Sequence, residues 1–266
     1  MELRDFAQFH VPALETDEIR FNVQIGIITA AAGENQAGFR HWTLGGPGHC
    51  ATQSPGRAIL LGNLDRGECR ELVETLRDLD YPGVVGVGET ARWFAEHAAE
   101  LTGARFEDSI PQRIHVLSGP PSYPKADGSS RTVAATDAPL LFEWLTGFHQ
   151  EAVPHDPPPE RANVEKAAAS GRFLFWLSND RPVSAAAVAR RLRHSAAIAP
   201  VYTPPELRGR GYGGSATAAV ADRAFAEGKS AVCLTTNLRN PISNRCYAKI
   251  GFRPYCDSWH YIRALD

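Results

Sequence analysis

Seven residues, Arg208–Gly214, read RGRGYGG and place four glycines and two arginines in one short stretch. That composition suits an anion, phosphate above all. Where a chain leaves a strand and enters a helix, the first backbone N–H groups have no intrahelical acceptor, and the helix dipole adds positive potential there. Glycine removes the Cβ that would hold an anion away from those amides. The expected phosphate ligands are the main-chain amides of Gly209, Arg210, Gly211, Tyr212, Gly213 and Gly214. The guanidinium groups of Arg208 and Arg210 add charge and, for one of them, a two-pronged grip. Pro204 and Pro205 stiffen the approach.

Such a loop needs a strand before it and a helix after it, and the flanking residues supply both. AAIAPVY (196–202) reads as a strand and SATAAVADRAFAEG (215–228) as a helix, followed by the strand SAVCLTT and the segment NLRNPISNRCYAKIGF. Upstream, Thr136 or Asp137 caps a helix whose apolar face is Leu140, Leu141, Trp144, Leu145 and Phe148, and a second helix spans about Pro158 to Ala169. FLFWLSNDRPVSAAAVARR reads as two strands around a tight Asn179-Asp180 turn, and RPYCDSWHYIR near the end has strand character. In the first half, RAILLGNL and GVVGVG read as strands, and Gly67–Asp80 and Glu89–Gly103 as helices, so that half is α/β too.

The chain has 266 residues, which suggests two domains. The seam is SGPPSYPKADGSS, with three prolines and almost no aliphatic residues. We therefore expect a first domain over 1–118, a linker over 119–130 and a second domain over 131–266. Net charge is −2, from 28 basic and 30 acidic residues, which gives no support to nucleic-acid binding. No run reaches the ~18 apolar residues of a membrane span, and the N-terminus has no apolar signal region. Five cysteines without a C-x-x-C pair point to reduced thiols and a cytoplasmic setting, with no metal site expected.

Other phosphate motifs fit less well. Gly228-Lys229-Ser230 could end a Walker loop, but Arg223 stands where its first glycine is needed. Gly209, Gly211 and Gly214 match the dinucleotide pattern G-x-G-x-x-G literally. However, TPPE intervenes after the strand, and the next strand runs out at Thr235-Thr236-Asn237 with no carboxylate. Gly86-Val87-Gly88-Glu89-Thr90-Ala91 is a better-formed decoy, with Glu107 and Asp108 further on; its plainer reading is a tight turn and close helix packing.

From Val201 to Tyr247 the sequence resembles the GNAT family of acetyl-CoA-dependent N-acetyltransferases. Their loop pattern, Q/R-x-x-G-x-G/A, is met by Arg208, Gly211 and Gly213, and a later motif by Asn240, Asn244, Tyr247 and Gly251-Phe252. The resemblance is close over roughly 130–266 and loose over the first 118 residues, in the manner of a bacterial subgroup with a degenerate first half. It implies a mixed, mostly antiparallel sheet flanked by helices, with both halves GNAT-like. It also implies direct transfer of an acetyl group from acetyl-CoA (coenzyme A) to a small-molecule or peptide amine.

The resemblance further implies roles. The edge of Val201, Tyr202 and Thr203 pairs with the pantetheine arm, and a backbone N–H at Val201 or Tyr202 polarises the thioester carbonyl; Pro200 has no N–H to offer. Asn237, Asn240 and Asn244 serve the coenzyme, although Asn240 beside Pro241 also suits a helix cap. Tyr247 is the expected acid. A phenol titrates near ~10 and a thiol near ~8.5, so the phenol keeps its proton at neutral pH and can donate it as sulfur charge builds. The alternative is a core aromatic whose hydroxyl is bonded elsewhere. No base is singled out among Glu143, His149, Glu151, His194, Glu206, Asp257 and His260. Two other functions remain: a non-catalytic acyl-CoA-binding module, and an NAD(P)-dependent oxidoreductase using Gly86–Ala91.

Overall fold

A computed structural model describes residues 1–264 and divides the chain into two compact units. The first comprises residues 1–114 with 235–240 and 254–266, and the second 115–234 with 241–253.

The first unit opens with α1 (Leu3–Leu14) and α2 (Asn22–Glu34), then β1 (Arg40–Thr43), β2 (Cys50–Gln53) and β3 (Ile59–Leu61). α3 (Arg66–Thr75) starts on a capping box: Asp65 accepts from the Glu68 N–H, and the Glu68 carboxylate accepts from the Asp65 N–H. β4 (Gly83–Val87) turns directly into α4 (Thr90–Thr102), and β5 (Phe106–Leu117) follows. A Cβ on Gly86 would lie 2.8 Å from the Ala91 nitrogen, so this glycine allows α4 to start close against its strand. The plainer reading of Gly86–Ala91 thus has a physical basis. Leu72, Val73, Phe94 and Ala98 bury against Ile59, Leu61 and Val84 to form the core of this unit.

The second unit contains β6 (Ser129–Thr132), α5 (Ala138–Ala152), α6 (Arg161–Ala169), β7 (Phe173–Ser178), β8 (Arg181–Arg191), β9 (Ser195–Tyr202), α7 (Tyr212–Ala226), the first residues of β10 (Ala231–Asn237), and α8 (Pro241–Ile250). Its strands lie in the order β10-β9-β8-β7-β6, antiparallel except for β9 with β10. The β7–β8 turn is the expected one: Asn179 and Asp180 both have positive φ, 49° and 59°, as a two-residue hairpin requires. Because helices cover both faces of the sheet, FLFW and AAAV read as unbroken apolar runs. Phe173, Phe175, Ala185 and Ala187 face α5 and α6, while Leu174, Trp176, Ala186 and Val188 face α7 and α8.

One irregularity in β9 decides what its last residues touch. Ala186 stands opposite Val201, but Val188 stands opposite Ile198, so β9 carries an extra residue at Ala199-Pro200. A bulge shifts the two-residue alternation by one. Ile198 and Val201 therefore both pack on the α7 side, and Tyr202 packs on the α5 side. Tyr202 explains a glycine in the middle of α5: a Cβ on Gly147 would lie 2.8 Å from the Tyr202 Cζ and closer still to its hydroxyl. Gly147→Ala is expected to cost about 1–3 kcal/mol in stability, read from denaturant midpoints; an unchanged midpoint would show that the ring has room to retreat.

Two expectations meet a different arrangement. The stretch 119–130 is bound to the second unit rather than suspended between units: Ala126 N–H donates to Ser215 Oγ (2.8 Å), and Lys125 pairs with Asp222 at 2.6 Å. The final strand, β11 (Arg253–Arg263), pairs antiparallel with β4 of the first unit, Trp259 opposite Gly86. Its alternation marks it as a strand, but nothing in its own residues names a partner. Among the described residues no helix is long and apolar enough to cross a membrane.

Candidate active site

α7 is capped by Gly211, which has φ of 80° and so needs a glycine; Gly209 has φ of 79°. The first intrahelical bond runs from Ser215 N to Gly211 O at 3.0 Å. The amides of Tyr212, Gly213 and Gly214 therefore stand at the helix start without a helical acceptor. The helix behind them is built from small residues, with Ala216, Ala218, Val220, Ala221 and Ala224 all buried against the sheet. Such a helix lies close on its strands, and its start is held rigidly beside the end of β9.

The glycines of the loop serve different ends. A Cβ on Gly213 would lie 3.1 Å from Thr203 Oγ1, so Gly213 lets α7 press against the chain leaving β9. A Cβ on Gly214 would meet the Tyr123 ring and hydroxyl at 2.5–2.8 Å. Gly209 has open space around it.

The two arginines differ as well. Arg208, one of the two arginines expected to attend the phosphate, is paired within the second unit. It donates to Thr203 O (2.9 Å) and to both carboxylate oxygens of Glu151 (2.8 and 2.7 Å), and it lies over the Tyr202 ring at 5.8 Å. The nearby Glu151 carboxylate holds its pKa above the usual arginine value. Arg208 thus ties the loop to the end of α5. Arg210 is exposed and has no ion pair among the described residues.

The parallel ladder between β9 and β10 ends at Ala197 opposite Cys233. Beyond it, among the described residues, Ile198, Val201 and Tyr202 keep their pairing to β8 but have none to β10, which leaves backbone groups at the expected pantetheine edge. Thr203 lies just past β9, its hydroxyl 2.9 Å from Ser184 Oγ.

Asn244 and Tyr247 lie on α8, which packs beside α7. Tyr247 is partly buried against the α7-side core and meets Phe252 edge-on at 6.1 Å. Burial pushes its phenol well above its ordinary pKa, with Cys246 adding a smaller upward contribution. Its hydroxyl has no hydrogen-bond partner among the described residues. The neighbouring Cys246 is also held as a thiol by burial. The other two asparagines belong to the first unit: Asn237 Oδ1 accepts from the Arg239 N–H (2.8 Å), and Asn240 immediately precedes α8.

A groove of about 580 Å³ runs along the α5 side of the end of β9, lined by Tyr202, Pro204, Pro205 and the carboxylates of Glu143 and Glu206. Arg161 also lines it, stacked over Phe142 at 4.4 Å. Sequence reasoning did not single out Tyr123 or Arg161; neither sits in a motif, and only the folded chain brings them to these places.

Residues 138–252 match the model of the acetyltransferase (GNAT) family. No curated protein matches the chain. Among solved structures, a GCN5-related N-acetyltransferase from Kribbella flavida superposes with a TM-score of 0.62 at 18% identity, covering 91% of this chain and 96% of its own. One from Sphaerobacter thermophilus gives 0.57 at 14% identity, covering 89% and 85%. A tandem GNAT protein from the clavulanic acid biosynthesis pathway gives 0.54 at 12% identity, covering 93% and 92%. These likenesses show a shared fold, a mixed, mostly antiparallel sheet flanked by helices, that extends over nearly the whole chain. Motif, fold and family match agree that residues 138–252 are similar to the acetyltransferase (GNAT) family, whose members transfer acyl groups from acyl-CoA.

Proposed function

We propose that this protein transfers an acetyl group from acetyl-CoA to a primary amine by direct attack, with the coenzyme held in the second unit. The observation that carries the reading is the start of α7: three amides without helical acceptors, at a helix end built on glycines, next to a strand edge released from its neighbour. The diphosphate fits the first feature and the amide-bearing pantetheine arm the second. Acetyl-CoA supplies the acyl group as a thioester.

The chain's own residues then do the following. A backbone N–H at Val201 or Tyr202 stabilises negative charge on the carbonyl oxygen. Tyr247 donates its proton to the departing sulfur, and its uncommitted hydroxyl supports this role over that of a bonded core residue. Asn244, on the same helix, orients the coenzyme arm, and Asn237 and Asn240 are proposed to assist. The carboxylates of Glu143 and Glu206 favour approach of an ammonium along the groove; the ammonium loses one proton to solvent before it attacks and a second as the amide forms. Cys246 stays protonated, which disfavours an acyl-cysteine intermediate and supports direct transfer.

The test is calorimetry with coenzyme A and with acetyl-CoA, followed by thiol release against a panel of amines. Binding with amine-dependent release is expected. Binding without release across the panel would mark a non-catalytic module, and heat with NADPH in place of either coenzyme form would favour an oxidoreductase.

A further inference from the structure

The chain between β5 and β6 brings Tyr123 to the start of α7. Three anchors hold it there. Ser122 N–H donates to Ile250 O at the end of α8 (3.2 Å), Ala126 N–H donates to Ser215 Oγ (2.8 Å), and Lys125 pairs with Asp222 (2.6 Å). Between these anchors the Tyr123 ring lies on Gly214. Its hydroxyl lies 2.5 Å from the point where a Gly214 Cβ would stand and 3.4 Å from the same point at Gly211. Both glycines flank the amides of Tyr212 and Gly213. The hydroxyl therefore fills space beside Gly214 that a side chain at that position would need. It has no hydrogen-bond partner among the described residues. Burial raises the phenol's pKa, so it carries its proton at neutral pH and can only help an anion as a donor.

We propose that Tyr123 is a further coenzyme-binding residue, whose hydroxyl donates to the diphosphate held at the start of α7 and takes the place of a side chain that Gly214 lacks. The proposal rests on the coenzyme reading above. It also accounts for Gly214, which is neither at positive φ nor, with the Tyr123 ring against it, open to close approach of an anion on that side.

The experiment compares Tyr123→Phe with the unaltered protein, using coenzyme A and S-acetylpantetheine, which has the thioester arm but no diphosphate. A hydrogen bond to a charged group contributes enough that affinity for coenzyme A should fall about tenfold. Binding of S-acetylpantetheine and the thermal midpoint should not change. A second variant guards against a packing effect: in a Tyr123→Ala background, Gly214→Ser should recover affinity for coenzyme A, since serine supplies an oxygen in the space the ring has left. Equal affinity of Tyr123→Phe and the parent for coenzyme A, or equal losses for both ligands, would overturn the role of the hydroxyl while leaving the coenzyme reading intact. Tighter binding by Tyr123→Phe would overturn it too, by showing that the hydroxyl obstructs the site. If the unaltered protein bound no coenzyme A, the coenzyme reading itself would fail, a result these variants do not mimic.

Discussion

Tyr247→Phe is expected to slow thiol release from acetyl-CoA by about 10²–10⁴-fold, the range a positioned general acid contributes. Affinity for coenzyme A should be nearly unchanged. The substitution removes one oxygen and keeps the ring, so packing against Phe252 and the α7-side core persists. Burial holds the phenol's pKa high, so across neutral pH it is a proton donor and never a phenolate. A thiolate leaving without that donor would carry full charge into a partly apolar setting, and the barrier rises accordingly. Rate against pH offers a second check. With the acid in place, turnover should show no basic limb from this group below about pH 10. A Phe variant that turned over at the parent rate would return Tyr247 to the role of a core aromatic.

Acid is expected to cost the first unit about 3 kcal/mol through a single histidine. His10 is fully buried, between the rings of Phe6 and Phe9. Its Nδ1 accepts from the Gly48 N–H (3.1 Å), so its Nε2 carries the proton and donates to Thr43 Oγ1 (2.9 Å). Desolvation lowers its pKa from 6.5 to about 4, with His41 and His49 adding repulsion. The folded pKa lies below the unfolded one, so between the two values the unfolded chain binds the extra proton. Stability is therefore complete above about pH 6.5 and is lost as pH falls towards 4, at 1.36 kcal/mol per unit. His41, also lowered by burial, pulls in the same direction. Denaturant unfolding at pH 7, 5.5 and 4 measures the slope. His10→Gln keeps an acceptor and a donor without titrating and should lose markedly less stability over that range. Parallel slopes for the two proteins would show that other groups dominate.

Several features were legible because they are written locally. A glycine-rich stretch between an apolar strand and an alanine-rich helix can only be a strand-to-helix loop. Asn179-Asp180 can adopt positive φ, and two apolar runs flank it. The apolar face from Leu140 to Phe148 repeats at helical spacing, although Asp137 turns its carboxylate back to Arg131 and the Ala134 N–H instead of capping the helix. α2 shows no helical period in its residues, since it is apolar on all sides.

What the amino-acid order supplied by itself was an expectation of chemistry: backbone amides for an anion, a phenol for a thiolate, and the family pattern that joins them. The tertiary structure alone decided which side chains attend those groups. Arg208 stands in the glycine-rich loop, and only the fold pairs it with Glu151, 57 residues away. Tyr123 lay in a proline-rich stretch with no visible task, and one partner of the last strand lay some 170 residues upstream at β4. Propensity, capping and turn chemistry act within a few residues of chain and can be read there. Ion pairs, strand partners and the phase shift of a bulge depend on what packing brings together across the whole chain, and no local pattern carries that information.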